Sequence, residues 1–222
     1  TLAVIAASAA RPFALGSEPG FRALLIKLSE QNHILLLNVH HIVSDGWSMA
    51  ILFRELGLLY QRVSLPELPI QYADYAVWQK NWLQGQRLEA LLAYWRNHLA
   101  GAPDVLELPL DRPRPPVQGS RGEKVSFVLP ADLSDRLQNS SRCEGVTSFM
   151  MQLAAFQALL ARLTQRGDVV VGTDLANRTR VETEGLIGFF VNLLPVRTRL
   201  LGNPTFSELL HQVKEVMLEA YA

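Results

Sequence analysis

A single cysteine, Cys143, is present among 222 residues, so no disulfide forms within the chain and a cysteine-based zinc site is excluded. One thiol fits a reducing, cytoplasmic setting. Charge excess is also missing: lysine plus arginine and aspartate plus glutamate each total 21. That balance removes the electrostatic reason to expect nucleic acid or an anionic membrane as partner. No apolar run reaches the ~20 residues of a membrane span; residues 23–28 and 34–39 are only strand-sized. There is no glycine-rich strand-to-helix turn, and Gly185-x-x-Gly188 is too sparse to cradle phosphate, which argues against a dinucleotide or P-loop site. Repeats and low-complexity tracts are lacking as well. The chain starts at Thr1 without a basic leader, and reads as excised from something longer.

What is there is apolar: 49% of the residues are hydrophobic, enough for one large core or two small ones. Residues 1–10 read as the tail of a helix closed by Arg11-Pro12. Residues 21–28 and 34–40 are β-compatible runs around polar 29–32 and predict an antiparallel hairpin. Near-continuous apolarity places the second strand in a sheet covered on both faces. From Trp47 to Tyr60, apolar Trp47, Ile51, Leu52, Leu56 and Leu59 predict a buried helix face. Two aromatic-rich helices follow, over about 72–83 and 88–99. Residues 101–122 hold Pro103, Pro109, Pro113, Pro115 and Pro116 and mark the boundary between two parts. Beyond it, alternation predicts strands over 124–129 and 193–200, and three valines a buried strand over 168–172. Helices are expected over 131–143, 147–163 and 205–220, the second capped by Thr147. Residues 173–184 read as polar and irregular. The mixture lacks a regular βα alternation.

The chemistry concentrates in His40-His41-Ile-Val-Ser-Asp45-Gly46-Trp47, which follows the second apolar run. An imidazole titrating near pH ~6.5 can take a proton from an amine, hydroxyl or thiol at neutral pH, and a strand end holds it in place. His40 faces the opposite side and has a structural role. Asp45 reads as the N-cap of the next helix, as a catalytic charge, or as both. Gly46 lets a substrate approach the backbone. A metal site on His40, His41 and Asp45 is disfavoured because consecutive strand residues diverge and no further ligand cluster exists.

Residues 39–48, Val-His-His-Ile-Val-Ser-Asp-Gly-Trp-Ser, resemble the His-His-x-x-x-Asp-Gly signature of condensation domains from nonribosomal peptide synthetases. Residues 72–79, Tyr-Ala-Asp-Tyr-Ala-Val-Trp-Gln, resemble the next family motif. Residues 187–197, Ile-Gly-Phe-Phe-Val-Asn-Leu-Leu-Pro-Val-Arg, resemble the one after, with Leu193 where threonine is common. The resemblance implies an α/β fold of the chloramphenicol-acetyltransferase two-lobe type, here truncated at both ends. Residues 1–100 would be the later part of the N-lobe, 101–122 the connection and 123–222 the start of the C-lobe.

The reaction implied is amide bond formation between two carrier-bound thioesters. His41 would act beside the acceptor amine, as general base or by positioning and stabilising the intermediate. His40, Asp45 and Gly46 would support it, Asp45 through an ion pair for which Arg197 is the candidate. Asn192, the 173–180 loop and Trp47 are candidates for the tunnel where lobes meet, although Trp47 also reads as core of the first helical turn. The resemblance further implies upstream and downstream carrier domains and an adenylation domain as partners. Phosphopantetheine would be carried by those carriers, with no cofactor or metal bound by this chain. The rivals are an epimerisation domain, a coenzyme A-dependent acyltransferase of the same superfamily, and an inactive fragment or carrier-docking module.

Overall fold

The computed structural model describes residues 1–117, 119 and 122–221. In chain order the elements are α1 (Leu2–Ala10), β1 (Phe21–Lys27), β2 (His33–Val39), a 3-10 turn at His41–Val43, α2 (Gly46–Tyr60), α3 (Tyr72–Trp82) and α4 (Gly85–Leu99). They continue with α5 (Ala131–Cys143), α6 (Ser148–Thr164), β3 (Asp168–Leu175), α7 (Val181–Glu184), β4 (Asn192–Arg199) and α8 (Phe206–Tyr221). No single helix among them is long and apolar enough to cross a membrane. Two compact units result. Thr1–Glu89 joins Asp174–Asn192, and Ala90–Thr173 joins Leu193–Ala222. The division therefore differs from the boundaries expected at 100 and 122: it falls inside α4, and the segment 174–192 returns to the first unit.

In the first unit, β1 and β2 form the expected antiparallel hairpin, with Phe21 opposite Val39 and Lys27 opposite His33. The strands are not sandwiched as expected. Among the described residues this sheet has two strands, and no residue of either strand is buried. The short core lies elsewhere, where Tyr75 of α3 packs with Leu186 and Phe190. The buried face of α2 also differs from the expected stripe. Ser48 and Ile51 are buried, whereas Trp47, Leu56 and Leu59 are exposed. The polar Ser48 displaces its apolar neighbours because its hydroxyl has specific partners, described below.

The second unit has the larger core. Met150, Met151, Leu153 and Ala154 of α6 pack with Val196 of β4 and with Leu209, Leu210, Val213 and Met217 of α8. As expected, Thr147 caps α6, its hydroxyl accepting the Met150 N–H at 3.2 Å. Strands β3 and β4 pair. The strand expected over 124–129 is absent: these residues have no regular structure, and Val125, Phe127 and Val128 are each more than 80% exposed. Alternation makes a segment able to pair, but without a neighbouring strand the ladder does not form.

Candidate active site

Strand β2 ends at Val39 and delivers the two histidines to the 3-10 turn. His40 Nδ1 accepts the Ile42 N–H at 3.0 Å and so caps that turn. Accepting there requires an unprotonated Nδ1, which places the ring hydrogen of the neutral imidazole on Nε2. The Phe13 ring meets the His40 ring edge-on at 5.7 Å. His41 is different: it is exposed, and its ring meets Phe189 edge-on, with centroids 5.3 Å apart at 82°.

Asp45 starts α2 and is 3% exposed. Its Oδ1 accepts the Ser48 N–H at 2.8 Å, the expected N-cap bond, while its Oδ2 accepts the Phe190 N–H at 3.0 Å. Its ionic partner is Arg178, whose Nη2 lies 3.2 Å from Oδ1 with both side chains essentially inaccessible. Burial pushes the Asp45 carboxyl up, but hydrogen bonding to Ser48, the Phe190 N–H and the Arg178 charge together hold it below the ordinary carboxylate value.

The expected pair between Asp45 and Arg197 is thus corrected. Arg197 binds Asp168 through two bonds, Nε to Oδ1 at 2.8 Å and Nη2 to Oδ2 at 2.6 Å. Its Nη1 donates to the carbonyls of His98 and Ala100, both at 2.9 Å. A guanidinium has five N–H donors in a fixed fork, and here they close a structural node inside the second unit. Hydrogen bonding from Arg197 outweighs burial and lowers the Asp168 carboxyl.

Sequence reasoning misses Arg178, although it stands in the 173–180 loop. Its Nη1 donates to the carbonyls of Thr183 and Leu186, and its Nη2 to the Ser48 hydroxyl at 2.8 Å. The guanidinium also lies over the Phe190 ring, 4.0 Å from its centroid. The only sequence signal is an arginine in a polar loop, and nothing local tells it from Arg180.

Ser48 completes the knot. Its hydroxyl donates to the Gly188 carbonyl at 2.8 Å and accepts the Gly188 N–H at 3.0 Å. Tyr72 donates its hydroxyl to the Phe189 carbonyl at 2.7 Å, and its ring packs edge-on against Phe190. The first two motif stretches and residues 188–190 of the third therefore converge within one unit. Gly188 is glycine for space: a Cβ there would come within 2.1 Å of Tyr72 Cδ2. Gly188→Ala is expected to displace the Tyr72 ring and lower stability by about 1–3 kcal/mol, read as a fall in the denaturant midpoint. Gly46 has open space where a Cβ would be and is exposed, so the fold itself does not demand glycine there.

Trp47 is not core as expected: it is 47% exposed, and its indole N–H donates to the Glu184 carbonyl at 3.0 Å. Asn192 opens β4 and is exposed. No cluster of three or more potential metal-binding side chains occurs among the described residues.

Asp45 and Asp168 make the stability of the protein acid-sensitive. Both carboxyls titrate lower in the folded than in the unfolded chain, so the stability they contribute is fully present above the unfolded value of about 3.9. It is lost as the pH falls through the lower folded values. Urea midpoints are expected to be flat near neutrality and to fall steadily below about pH 4–5, with a shallower acid limb in Asp45→Asn.

The family model of the condensation domain matches residues 2–222. The chain belongs to the condensation-domain family. This condensation-domain chain is 51% identical over 220 residues to one component of the linear gramicidin synthase of Brevibacillus parabrevis, a match covering 96% of the chain and 3% of that protein. It is 45% identical over 218 residues to phosphinothricin tripeptide synthetase PhsC of Streptomyces viridochromogenes, covering 96% of the chain and 20% of the relative. Among solved structures, the complex of the X-domain and OxyB from teicoplanin biosynthesis matches at 34% identity and a TM-score of 0.90, over 99% of this chain and 50% of that one. The four-domain nonribosomal peptide synthetase AB3403, bound to AMP and glycine, matches at 25% and 0.86 over 100% and 17%. The chain therefore spans half or less of each of these proteins. Mixed helices and sheets in the α/β manner agree with these condensation-domain folds.

Proposed function

We propose that this chain carries the reacting histidine of a peptide-bond-forming condensation domain that joins two carrier-bound thioesters. The supporting observation is a division of labour within His-His-x-x-x-Asp-Gly. His40 and Asp45 commit their side chains to backbone groups and to Arg178, while His41 stands exposed with its ring against Phe189. The α-amine of the acceptor attacks the carbonyl carbon of the donor thioester. The C–N bond forms, the C–S bond breaks, and the acceptor leaves one acyl or peptidyl unit longer. His41 orients the amine, takes its proton at a ring nitrogen, and passes it to the departing sulfur. Both thioesters are substrates brought on phosphopantetheine arms by the upstream and downstream carrier domains, beside an adenylation domain.

A second reading, a protein-docking module without chemistry, is favoured by one observation: the similar X-domain occurs in a complex with OxyB. The intact synthetase separates these readings when supplied with loaded carriers or with a free coenzyme A thioester. Dipeptide from loaded carriers alone is expected. Comparable transfer from coenzyme A would instead indicate an acyltransferase. Exchange of the α-proton in deuterated water without condensation would indicate epimerisation, and carrier binding without product would indicate docking.

A further inference from the structure

We propose that Phe189 is a positioning residue for His41, an inference that rests on the reading of His41 as the reacting group. Three successive residues around Phe189 are pinned through their backbones. Gly188 uses both its N–H and its carbonyl on the Ser48 hydroxyl. The Phe189 carbonyl accepts the Tyr72 hydroxyl, and the Phe190 N–H is held by Asp45. Burial, with the Asp45 charge nearby, raises the Tyr72 hydroxyl's pKa above its ordinary value. On either side there is no slack. Gly188 has no room for a side chain, and the Phe190 ring is 2% exposed among Tyr72, Tyr75 and Arg178.

The side chain projected from this fixed backbone is not used for the core. Phe189 is 40% exposed, and the ring it meets is that of His41, at 5.3 Å and 82°. Edge-to-face geometry is the favoured arrangement of two aromatic rings, because the positive edge of one meets the negative face of the other. It therefore restrains the plane of an exposed imidazole that its own short 3-10 turn would leave free to rotate about χ2. Asp45 and Arg178 thus act on the chemistry at one remove: they fix the 188–190 backbone, and Phe189 passes that placement to His41. A reacting group displaced by 1 Å can lose about 100-fold in rate.

The test uses the intact synthetase with loaded carrier proteins and compares Phe189→Leu, Phe189→Tyr, Tyr72→Phe, His41→Ala and the double variant His41→Ala with Phe189→Leu. Phe189→Leu keeps an apolar side chain without a ring and is expected to lower kcat by about 10- to 100-fold with KM unchanged. Phe189→Tyr keeps an aromatic ring against His41 and is expected to retain most of the rate. Loss of the Phe189 ring current is also expected to move the His41 ring-proton resonances in NMR spectra, a readout independent of turnover. In the His41→Ala background, Phe189→Leu should have no further effect. If Phe189→Leu does not fold, Tyr72→Phe, which removes one anchor of the Phe189 backbone, should still lower kcat and shift the His41 resonances. Wild-type turnover with unmoved resonances in these variants, beside an inactive His41→Ala, would overturn this inference alone. So would a rise in KM alone, which would make Phe189 a substrate contact. Wild-type turnover by His41→Ala would overturn the functional reading itself, and the positioning role with it.

Discussion

Replacing Arg178 with alanine is expected to destabilise the protein by about 3–5 kcal/mol, the range found when one partner of a buried ion pair is removed. The Asp45 carboxylate would be left without its cation in a site where it is 3% exposed. The carbonyls of Thr183 and Leu186 and the hydroxyl of Ser48 would each lose a donor in the same change. Native domains are stable by only about 5–15 kcal/mol, so the loss reaches a large fraction of the total. Urea denaturation of the domain carrying this chain measures it as a fall in the midpoint. Arg178→Lys should recover little, because a single ammonium cannot reproduce a fork that reaches four acceptors. Arg197→Ala should also destabilise, through Asp168 and the carbonyls of His98 and Ala100, while leaving the bonds of Asp45 in place. A merely local effect of Arg178→Ala, below about 1 kcal/mol as for an exposed pair, would contradict the role given to it.

His41→Ala is expected to do the opposite: little change in stability and a large loss of activity. The side chain is exposed and its ring contact is with Phe189, so truncation leaves no buried group unpaired. A positioned general base contributes about 10²- to 10⁴-fold in rate, and a loss of that size is expected here. His40→Ala should show the reverse balance. It removes the acceptor that caps the 3-10 turn at Ile42 N–H and acts on the loop first and on the rate through it.

Much of the fold was legible because its signals are local. The hairpin 21–39 and the helices after Asp45 and Thr147 follow from apolar runs and from side chains that cap the next N–H groups. The role of Asp45 was half legible on the same grounds, since its N-cap bond to Ser48 spans three residues. Its cation was not, because Arg178 lies 133 residues away and reaches it only when residues 174–192 return to the first unit. Arg197 occupied a motif position, yet its guanidinium finds Asp168 on the paired strand, 29 residues earlier. Gly188 shows the same limit. Its need for glycine comes from the Tyr72 ring, a neighbour that no local pattern names. The failed strand at 124–129 and the exposed hairpin have one cause in common: alternation reports which residues could be covered, while pairing partners and covering elements decide which are.

The division of labour in the histidine loop is tested most directly by one measurement on His41→Ala in the intact synthetase: the single-turnover rate of dipeptide formation from two loaded carrier proteins, with a denaturation curve on the same sample. A rate at least 100-fold below the wild type, with an unchanged denaturation midpoint, is the expected result. Dipeptide formed at the wild-type rate by a folded His41→Ala protein would contradict it.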